Sequence, residues 1–258
     1  MKKIKLLLLF GLLALNLYGQ KKSTDSTTSV INIKFKYEAL IIPAALIGYG
    51  VIGLESHTLK DINTDTKAEL SEHIDQKFTI DDFSQYSTFI SVYTLNAAGV
   101  KGKNNFRDRT IILSTAYLIM GTTVYIIKNT GSEMRPDGTS NNSFPSGHTA
   151  TAFMGAEFLY QKYKDVSIWY GVSGYVVAAG TGFFRMYNDR HWFSDVAAGA
   201  GIGILSTKIA YWLHPLVSRA LFGKKENLNG LIMPTYNGKQ YGLTMAMTFL
   251  KPLKIIEA

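Results

Sequence analysis

The chain has 258 residues and carries 27 Lys and Arg against 19 Asp and Glu, a formal net charge of +8. Hydrophobic residues make up 47% and charged residues 18%, a low charge content for a soluble domain of this length. The positive charge suits contact with anionic lipid or with a phosphorylated substrate. The basic residues are scattered among apolar segments, which argues against nucleic acid as a partner. The absence of cysteine excludes a disulfide, a thiolate zinc site and a lipoprotein anchor.

The first 20 residues are typical of an export signal. A basic start of three lysines precedes an apolar run over residues 6–17, and Gly19 is a small residue at a plausible cleavage point. We therefore predict a signal peptide over residues 1–19. An uncleaved anchor helix is the alternative, because Leu17 is a poor residue three positions before the cut.

Apolar and polar segments alternate through the next part of the chain. Residues 20–80 form an N-terminal segment with one helix-length apolar run at 39–54, followed by polar and charged residues to 87. The 18 residues 110–127 carry no charge, which predicts a transmembrane helix. Ser146 is expected to cap a helix that runs to about residue 160.

The last long helix is predicted over about 194–213, with Ser194 as its N-cap. Small residues on this helix would let neighbouring helices approach closely: Ala198, Gly199, Ala200, Gly201 and Gly203. Residues 215–258 differ in character, with a basic linker and two β-like runs on either side of Asn237-Gly238, which is a hairpin signal. The fold class is therefore all-α, a helical bundle with a small C-terminal β-hairpin.

Three short polar segments between the apolar ones carry the chemistry. Their members are Lys128, Arg135 and Pro136 in the first, Pro145, Ser146, Gly147 and His148 in the second, and Arg185, His191 and Asp195 in the third. The arginines offer planar forks for paired oxygen contacts, and the lysine offers a point charge. Backbone N–H groups at the start of the helix at 146–148 are a natural anion site. A phosphate ester is the ligand that this inventory suits.

The histidines supply the reactive groups. His191 and Asp195 are four residues apart, so on a helix they share one face and the carboxylate can accept a hydrogen bond from Nδ1–H. That arrangement leaves Nε2 free to attack phosphorus. His148 would then protonate the leaving oxygen. The same pair could be half of a metal site, but no third ligand has a suitable spacing.

These segments resemble the signature of the type 2 phosphatidic acid phosphatase (PAP2) superfamily, whose relatives include bacterial nonspecific acid phosphatases and vanadium haloperoxidases. The signature is Lys-x6-Arg-Pro, Pro-Ser-Gly-His and Ser-Arg-x5-His-x3-Asp, and every spacing matches. The resemblance implies a PAP2-like helical core over residues 81–214. It also implies a phosphohistidine on His191, with Asp195 as its partner and His148 as the acid, and neither metal nor cofactor.

One position departs from the pattern, because Phe184 stands where the family has Ser before Arg185. Loss of one neutral hydrogen bond costs on the order of 1 kcal/mol. We therefore expect altered specificity with the mechanism retained. Asp81 and Asp82 are interpreted as helix caps with a minor role near the site. Arg190 is interpreted as a solvated loop charge, with contact to the substrate as the alternative.

The main hypothesis is a metal-independent lipid phosphatase or phosphomonoesterase that acts on a phosphorylated lipid or small phosphate ester. The alternatives are a vanadium-dependent haloperoxidase and a non-catalytic envelope protein that binds phosphate. Basic residues gather at 101–109, 161–165 and after 214, which would place the catalytic loops outside the cytoplasm. The expected location is the inner membrane with the active site facing the periplasm, or the periplasm itself. The oligomeric state stays open.

Overall fold

The structure, a computed structural model, describes residues 37–72, 77–222, 229–236 and 241–248. The predicted signal peptide over 1–19 lies outside these residues. A short 3-10 helix at Tyr37–Leu40 precedes the first α-helix. The α-helices, numbered in chain order, are α1 (Ile41–Gly53), α2 (His57–Ser71), α3 (Ile80–Ala97), α4 (Phe106–Thr130), α5 (Gly147–Tyr163), α6 (Ile168–Tyr187) and α7 (Phe193–Phe222). The bundle is all-α, as predicted.

Helix α5 occupies the centre of the bundle and packs against α3, α4, α6 and α7. Most of its residues are small or apolar, and the charged residues Glu157 and Lys162 are buried with them. A helix that is apolar on most sides is stable only when other elements surround it. Phe158 and Tyr163 are fully buried along it, beside Ile112 of α4 and Ile202 of α7. Full burial of a side chain such as Phe158 contributes about 1.5–3 kcal/mol. The centre therefore fixes the helix ends that carry the polar segments.

Two glycines set the distance between α7 and its neighbours, as the run of small residues predicts. A Cβ atom at Gly201 would lie 2.7 Å from the carbonyl oxygen of Pro43 in α1. A Cβ atom at Gly203 would overlap the carbonyl oxygen of Ala150 in α5. Close approach of this kind is how small residues stabilise helix pairs in membrane proteins.

Helix α7 differs from its prediction at both ends. Ser194 does not cap it, because its hydroxyl accepts a hydrogen bond from the Asn63 side chain at 2.9 Å and its N–H donates to the same side chain at 3.1 Å. The predicted end near residue 213 was also wrong, since α7 continues through Pro215 to Phe222. A proline inside a helix removes one backbone donor and crowds the carbonyl four residues before it, so contacts beyond it must hold the helix together. The extension is held by the Arg107 guanidinium, 4.9 Å from the centre of the Phe222 ring.

Within the described residues, α4 and α7 are long and apolar enough to cross a membrane. Helix α4 contains the predicted span 110–127 and begins earlier, because Asn105 caps it by accepting from the N–H of Asp108 at 2.8 Å. Helices α1 and α2 form a third candidate span if the pair, bent by 93°, is counted as one.

The C-terminal part contains two strands, β1 (Asn229–Tyr236) and β2 (Tyr241–Thr248), paired antiparallel with Tyr236 opposite Tyr241. The Asn237-Gly238 turn falls outside the described residues. The hairpin as a unit of the fold stays a prediction.

Candidate active site

The three polar segments lie at one end of the bundle, where several helices begin or end. Lys128 is in the last turn of α4, and Arg185 is in the last turn of α6. Gly147 begins α5, and Asp195 is in the first turn of α7. The structure thus brings together residues that are up to 67 positions apart, counted from 128 to 195.

The loop before α5 orients two of the predicted phosphate ligands. Lys128 Nζ donates to the carbonyl oxygens of Asn142 at 2.5 Å and Ser143 at 3.2 Å. Arg135 Nε donates to the side-chain oxygen of Asn142 at 3.1 Å. All of these acceptors are uncharged, so neither contact neutralises the cation. Both side chains keep a positive charge to offer to an anion.

His191 and Asp195 form the predicted pair. His191 Nδ1 lies 3.4 Å from Asp195 Oδ2, and the two side chains are 2% and 0% exposed. The same Oδ2 accepts from the Ser143 hydroxyl and from the N–H of Trp192 at 2.9 Å, which fixes the carboxylate. Burial lowers the pKa of His191 to about 4, although Asp195 acts in the opposite direction. The ring is therefore neutral at pH 7 and can act as a nucleophile.

Ser146 caps α5 as predicted, since its hydroxyl accepts from the N–H of Thr149 at 3.4 Å. The side chain is fully buried and also bonds to the Thr149 hydroxyl at 2.8 Å. Its own N–H donates to the carbonyl oxygen of Asp195 at 3.0 Å. The Ser146 hydroxyl could donate to a phosphate without losing these bonds only if the Thr149 hydroxyl is the donor in the bond between the two side chains. The N–H groups of Gly147 and His148 follow in the first turn, where a helix has no internal acceptors.

Two acidic residues that the local pattern had placed as helix caps are part of the site. Arg185 donates from Nη1 to Asp81 Oδ2 at 2.5 Å, and both side chains are buried. Asn188 donates to the other oxygen of Asp81 at 3.0 Å. His148 Nε2 lies 2.9 Å from Asp82 Oδ1. The cap interpretation was wrong, because α3 begins at Ile80 and both aspartates lie inside its first turn. Their contacts join residues 66 to 107 positions apart, so a local sequence pattern could not predict them.

A pocket of about 350 Å³ opens beside this acidic pair. Its walls carry both charge signs and are formed by Lys77, Thr79, Asp81, Asp82, Arg135, His148, Arg185, Asn188 and Arg190. Arg190 lines this pocket and is also 43% exposed, and its Nη1 lies 3.2 Å from Asp137 Oδ2. Lys128 and His191 do not line this space. The pair of His191 and Asp195 is buried next to the pocket. Arg185 links the two, because it lines the pocket and its carbonyl oxygen accepts a hydrogen bond from the N–H of His191.

Phe184 belongs to an aromatic cluster outside the pocket lining. Its ring centre is 5.6 Å from that of Phe183 and 6.0 Å from that of Tyr187. The side chain that replaces the family's serine is therefore used for packing.

A cation is the one ligand other than phosphate that the described side chains suggest. Ligand atoms of Asp81, Asp82 and His148 lie within 4.8 Å of one another. The Arg185 guanidinium, however, bonds to Asp81 and lies 3.8 Å from Asp82. A positive charge at that position repels a metal ion. The cluster is better described as two carboxylates that each hold a cationic or protonatable partner.

Comparison with known proteins agrees with the motifs. Residues 109–219 match the family model described as the PAP2 superfamily. These residues belong to the PAP2 superfamily. The chain is 36% identical over 171 residues to the lipid A 1-phosphatase of Porphyromonas gingivalis. The aligned region covers 63% of this chain and 38% of that protein. It is 32% identical over 99 residues to the bacitracin transport permease protein BcrC of Bacillus licheniformis, covering 38% of this chain and 47% of that protein.

The chain thus spans less than half the length of these two relatives. Among solved structures, Aquifex aeolicus LpxE is similar with a TM-score of 0.40 and 22% identity, covering 64% of this chain and 92% of that one. A transmembrane PAP2-type phosphatidylglycerolphosphate phosphatase from Bacillus subtilis is similar with a TM-score of 0.44 and 17% identity, covering 69% and 98%.

Proposed function

We propose that this chain is a metal-independent phosphatase that hydrolyses a phosphate ester, with a phosphorylated lipid as substrate, through a phosphohistidine intermediate. The observation that carries the proposal is the gathering of Lys128, Arg135 and Arg185 around the buried pair of His191 and Asp195. A transferring phosphoryl group spreads negative charge over its equatorial oxygens, so a catalyst needs fixed positive groups around it.

The cations and the start of α5 would bind the phosphate. Lys128 and Arg135 are held by uncharged acceptors and are free to bind oxygen anions. Arg185 would share or exchange its contact with Asp81 when a phosphate enters. The N–H groups of Gly147 and His148 would contribute the helix-start donors, with Ser146 fixing that turn. Because His191 lies beside the pocket, substrate entry would include a small movement of Arg185.

His191 would act as the nucleophile. Asp195 and Ser143 lie on its Nδ1 side, which leaves Nε2 to attack phosphorus. As the N–P bond forms, the ester P–O bond breaks and its electron pair stays on the leaving oxygen, which takes a proton from His148. Water then attacks the phosphohistidine, with His148 accepting the proton, and inorganic phosphate leaves. No step requires a metal ion or a cofactor.

Three observations support a lipid as the substrate. Lys128 and Asp195 are carried by α4 and α7, which in the part of the chain that the structure describes are the single helices long and apolar enough to span a membrane. The relative from Porphyromonas gingivalis is named a lipid A 1-phosphatase. The net charge of +8 favours an anionic membrane surface. The acyl part of the substrate would then stay in the bilayer while the headgroup reaches the cations.

The remaining organisation is proposed with the function. Residues 1–19 would act as a signal peptide, 20–80 as an N-terminal segment, 81–214 as the catalytic core, and 215–258 as a basic linker with a hairpin. The catalytic end would face the periplasm, since basic residues gather at the other end of the bundle.

The test is phosphate release by the purified full chain in detergent micelles. Phosphatidate and a lipid A 1-phosphate preparation are compared with p-nitrophenyl phosphate, with a chelator present throughout. His191→Ala should abolish release, and His57→Ala, a change of an exposed histidine in α2, should leave it intact. Full activity in His191→Ala, or dependence on an added metal ion, would overturn the proposal. A preference for p-nitrophenyl phosphate would remove only the lipid substrate.

A further inference from the structure

The carboxylate of Asp82 lies against the proposed acid without any role in the reaction as described above. Asp82 Oδ1 is 2.9 Å from His148 Nε2, and its side chain is 51% exposed at the edge of the pocket. Its neighbour Asp81 is buried and bonded to both Arg185 and Asn188. That anchor ties the first turn of α3 to the end of α6. Asp82 is therefore presented to His148 from a fixed backbone.

We propose that Asp82 is a positioning residue for His148, which holds the ring by Nε2 and directs Nδ1–H toward the leaving oxygen of the substrate. The inference rests on the proposed phosphatase function, because it gives His148 the acid role. An ionised carboxylate can only accept a hydrogen bond, so Nε2 must carry a hydrogen in this pair. The proton that can be transferred is then the one on Nδ1.

The charges around His148 make such a partner necessary. Burial lowers the pKa of His148, and the nearby Arg185 guanidinium lowers it further. The hydrogen bond and the charge of Asp82 oppose this, as does the charge of Asp81. Arg135, Arg190 and Lys77 line the same pocket and add positive charge. Without Asp82 the pKa of His148 would be lower still, so a smaller fraction of the rings would carry the acidic proton at any given pH.

The proton balance follows directly. In the first step Nδ1–H of the imidazolium is given to the leaving oxygen, and the ring becomes neutral while Nε2–H stays bonded to Asp82. In the second step Nδ1 takes a proton from the attacking water, and the imidazolium is restored. Asp82 stays ionised throughout, as the orienting carboxylate does in an acid–base dyad.

Asp82→Asn tests the inference, because it keeps the shape and removes the charge. A general acid matters most for a poor leaving group. We expect release from an alkyl phosphate to fall by about 10-fold to 100-fold, and release from p-nitrophenyl phosphate to change by less than about 3-fold. The alkaline limb of the pH–rate profile should move to lower pH. In a His148→Ala background, Asp82→Asn should have no further effect, because the two residues act as one unit.

A matched control is available in the same chain. Asp108 lies in the first turn of α4, and its Oδ1 is 3.4 Å from His214 Nε2, so it forms an Asp–His pair away from the site. Asp108→Asn should leave the leaving-group dependence and the pH profile unchanged. Equal losses on both esters in Asp82→Asn, or an undiminished loss in the His148→Ala background, would overturn the positioning role.

A second measurement separates this inference from the proposed function. The ring of His148 is titrated by NMR in histidine-labelled protein, with His148→Gln used to assign its signal. Asp82→Asn should lower the measured pKa relative to the unsubstituted protein. If the protein releases no phosphate but this decrease is seen, the function fails and the pairing stands. If the His148 pKa is unchanged or rises, the inference fails whatever the activity.

Discussion

Removal of the Asp81 carboxylate should destabilise the protein unless an anion takes its place. Asp81 and Arg185 form a buried pair at 2.5 Å, with side chains 1% and 9% exposed. Asn188 donates to the second carboxylate oxygen, so the carboxylate is bonded on both sides. In Asp81→Ala the guanidinium would stay buried with only the half-exposed Asp82 carboxylate, 3.8 Å away, as a counter-charge. A phosphate analogue that binds Arg185 would then restore part of the lost stability.

The magnitude follows from the burial of the pair. Removing one partner of a buried ion pair costs about 3–5 kcal/mol. For a chain of this size 1 kcal/mol shifts the melting midpoint by about 2–4 °C, so the expected decrease is roughly 6–20 °C. Saturating orthovanadate would bind beside Arg185 and supply the missing negative charge. It should therefore raise the midpoint of Asp81→Ala by more than it raises that of the unsubstituted protein.

The assay is thermal unfolding of the detergent-solubilised full chain with and without orthovanadate. Asp65→Ala, a change of an exposed aspartate in α2, serves as the matched control and should move the midpoint by less than about 2 °C. A decrease below about 3 °C in Asp81→Ala would show that the pair contributes little. Equal stabilisation of both proteins by vanadate would show that Arg185 does not meet the anion.

Further predictions concern the nucleophile, a phosphate ligand and the packing of α7. Because burial lowers the pKa of His191 to about 4, protonation of this ring should reduce kcat/KM only as the pH falls through about 4. A decline in kcat/KM near the ordinary histidine pKa that is caused by His191 would contradict this. Lys128→Met should lower kcat/KM by roughly 100-fold and Lys128→Arg by much less. Gly203→Val should destabilise the bundle by about 1–3 kcal/mol or prevent folding, measured as the yield of monodisperse protein, whereas Gly180→Val, where a Cβ atom meets nothing within 4 Å, should be tolerated.

Sequence spacing is sufficient for the residues that one segment carries. His191 and Asp195 share the start of α7 because they are four residues apart, and Ser146 caps α5 because its neighbours favour a helix start. The small residues of α7 also predict its close packing, since a missing Cβ is visible in the sequence. These features depend on local geometry, which the chain order determines.

Contacts between distant segments could not be predicted from the sequence. The bond from Arg185 to Asp81 joins residues 104 positions apart, and the bond from Asn63 to Ser194 joins residues 131 positions apart. An Asp in a first turn and a Ser before a helix both have common local uses, so the sequence favours the local reading in each case. The tertiary partner is decided by which helix ends meet, and that depends on the packing of the whole bundle.

The C-terminal end of α7 was also mispredicted because it depends on contacts with a distant segment. Pro215 predicts a break by its local effect on the backbone. The helix continues because residues beyond it contact the start of α4, through Arg107 and Phe222 and through Asp108 and His214.

The phosphohistidine is the central claim, and trapping it is the most direct measurement. The purified chain is mixed with a ³²P-labelled lipid phosphate, quenched in base within milliseconds and digested for mass spectrometry. The account predicts label that is stable to base, labile to acid and located on His191, with His191→Ala unlabelled and Asp108→Asn labelled as the unsubstituted protein is. Turnover without any labelled protein, or label on another residue, would contradict it.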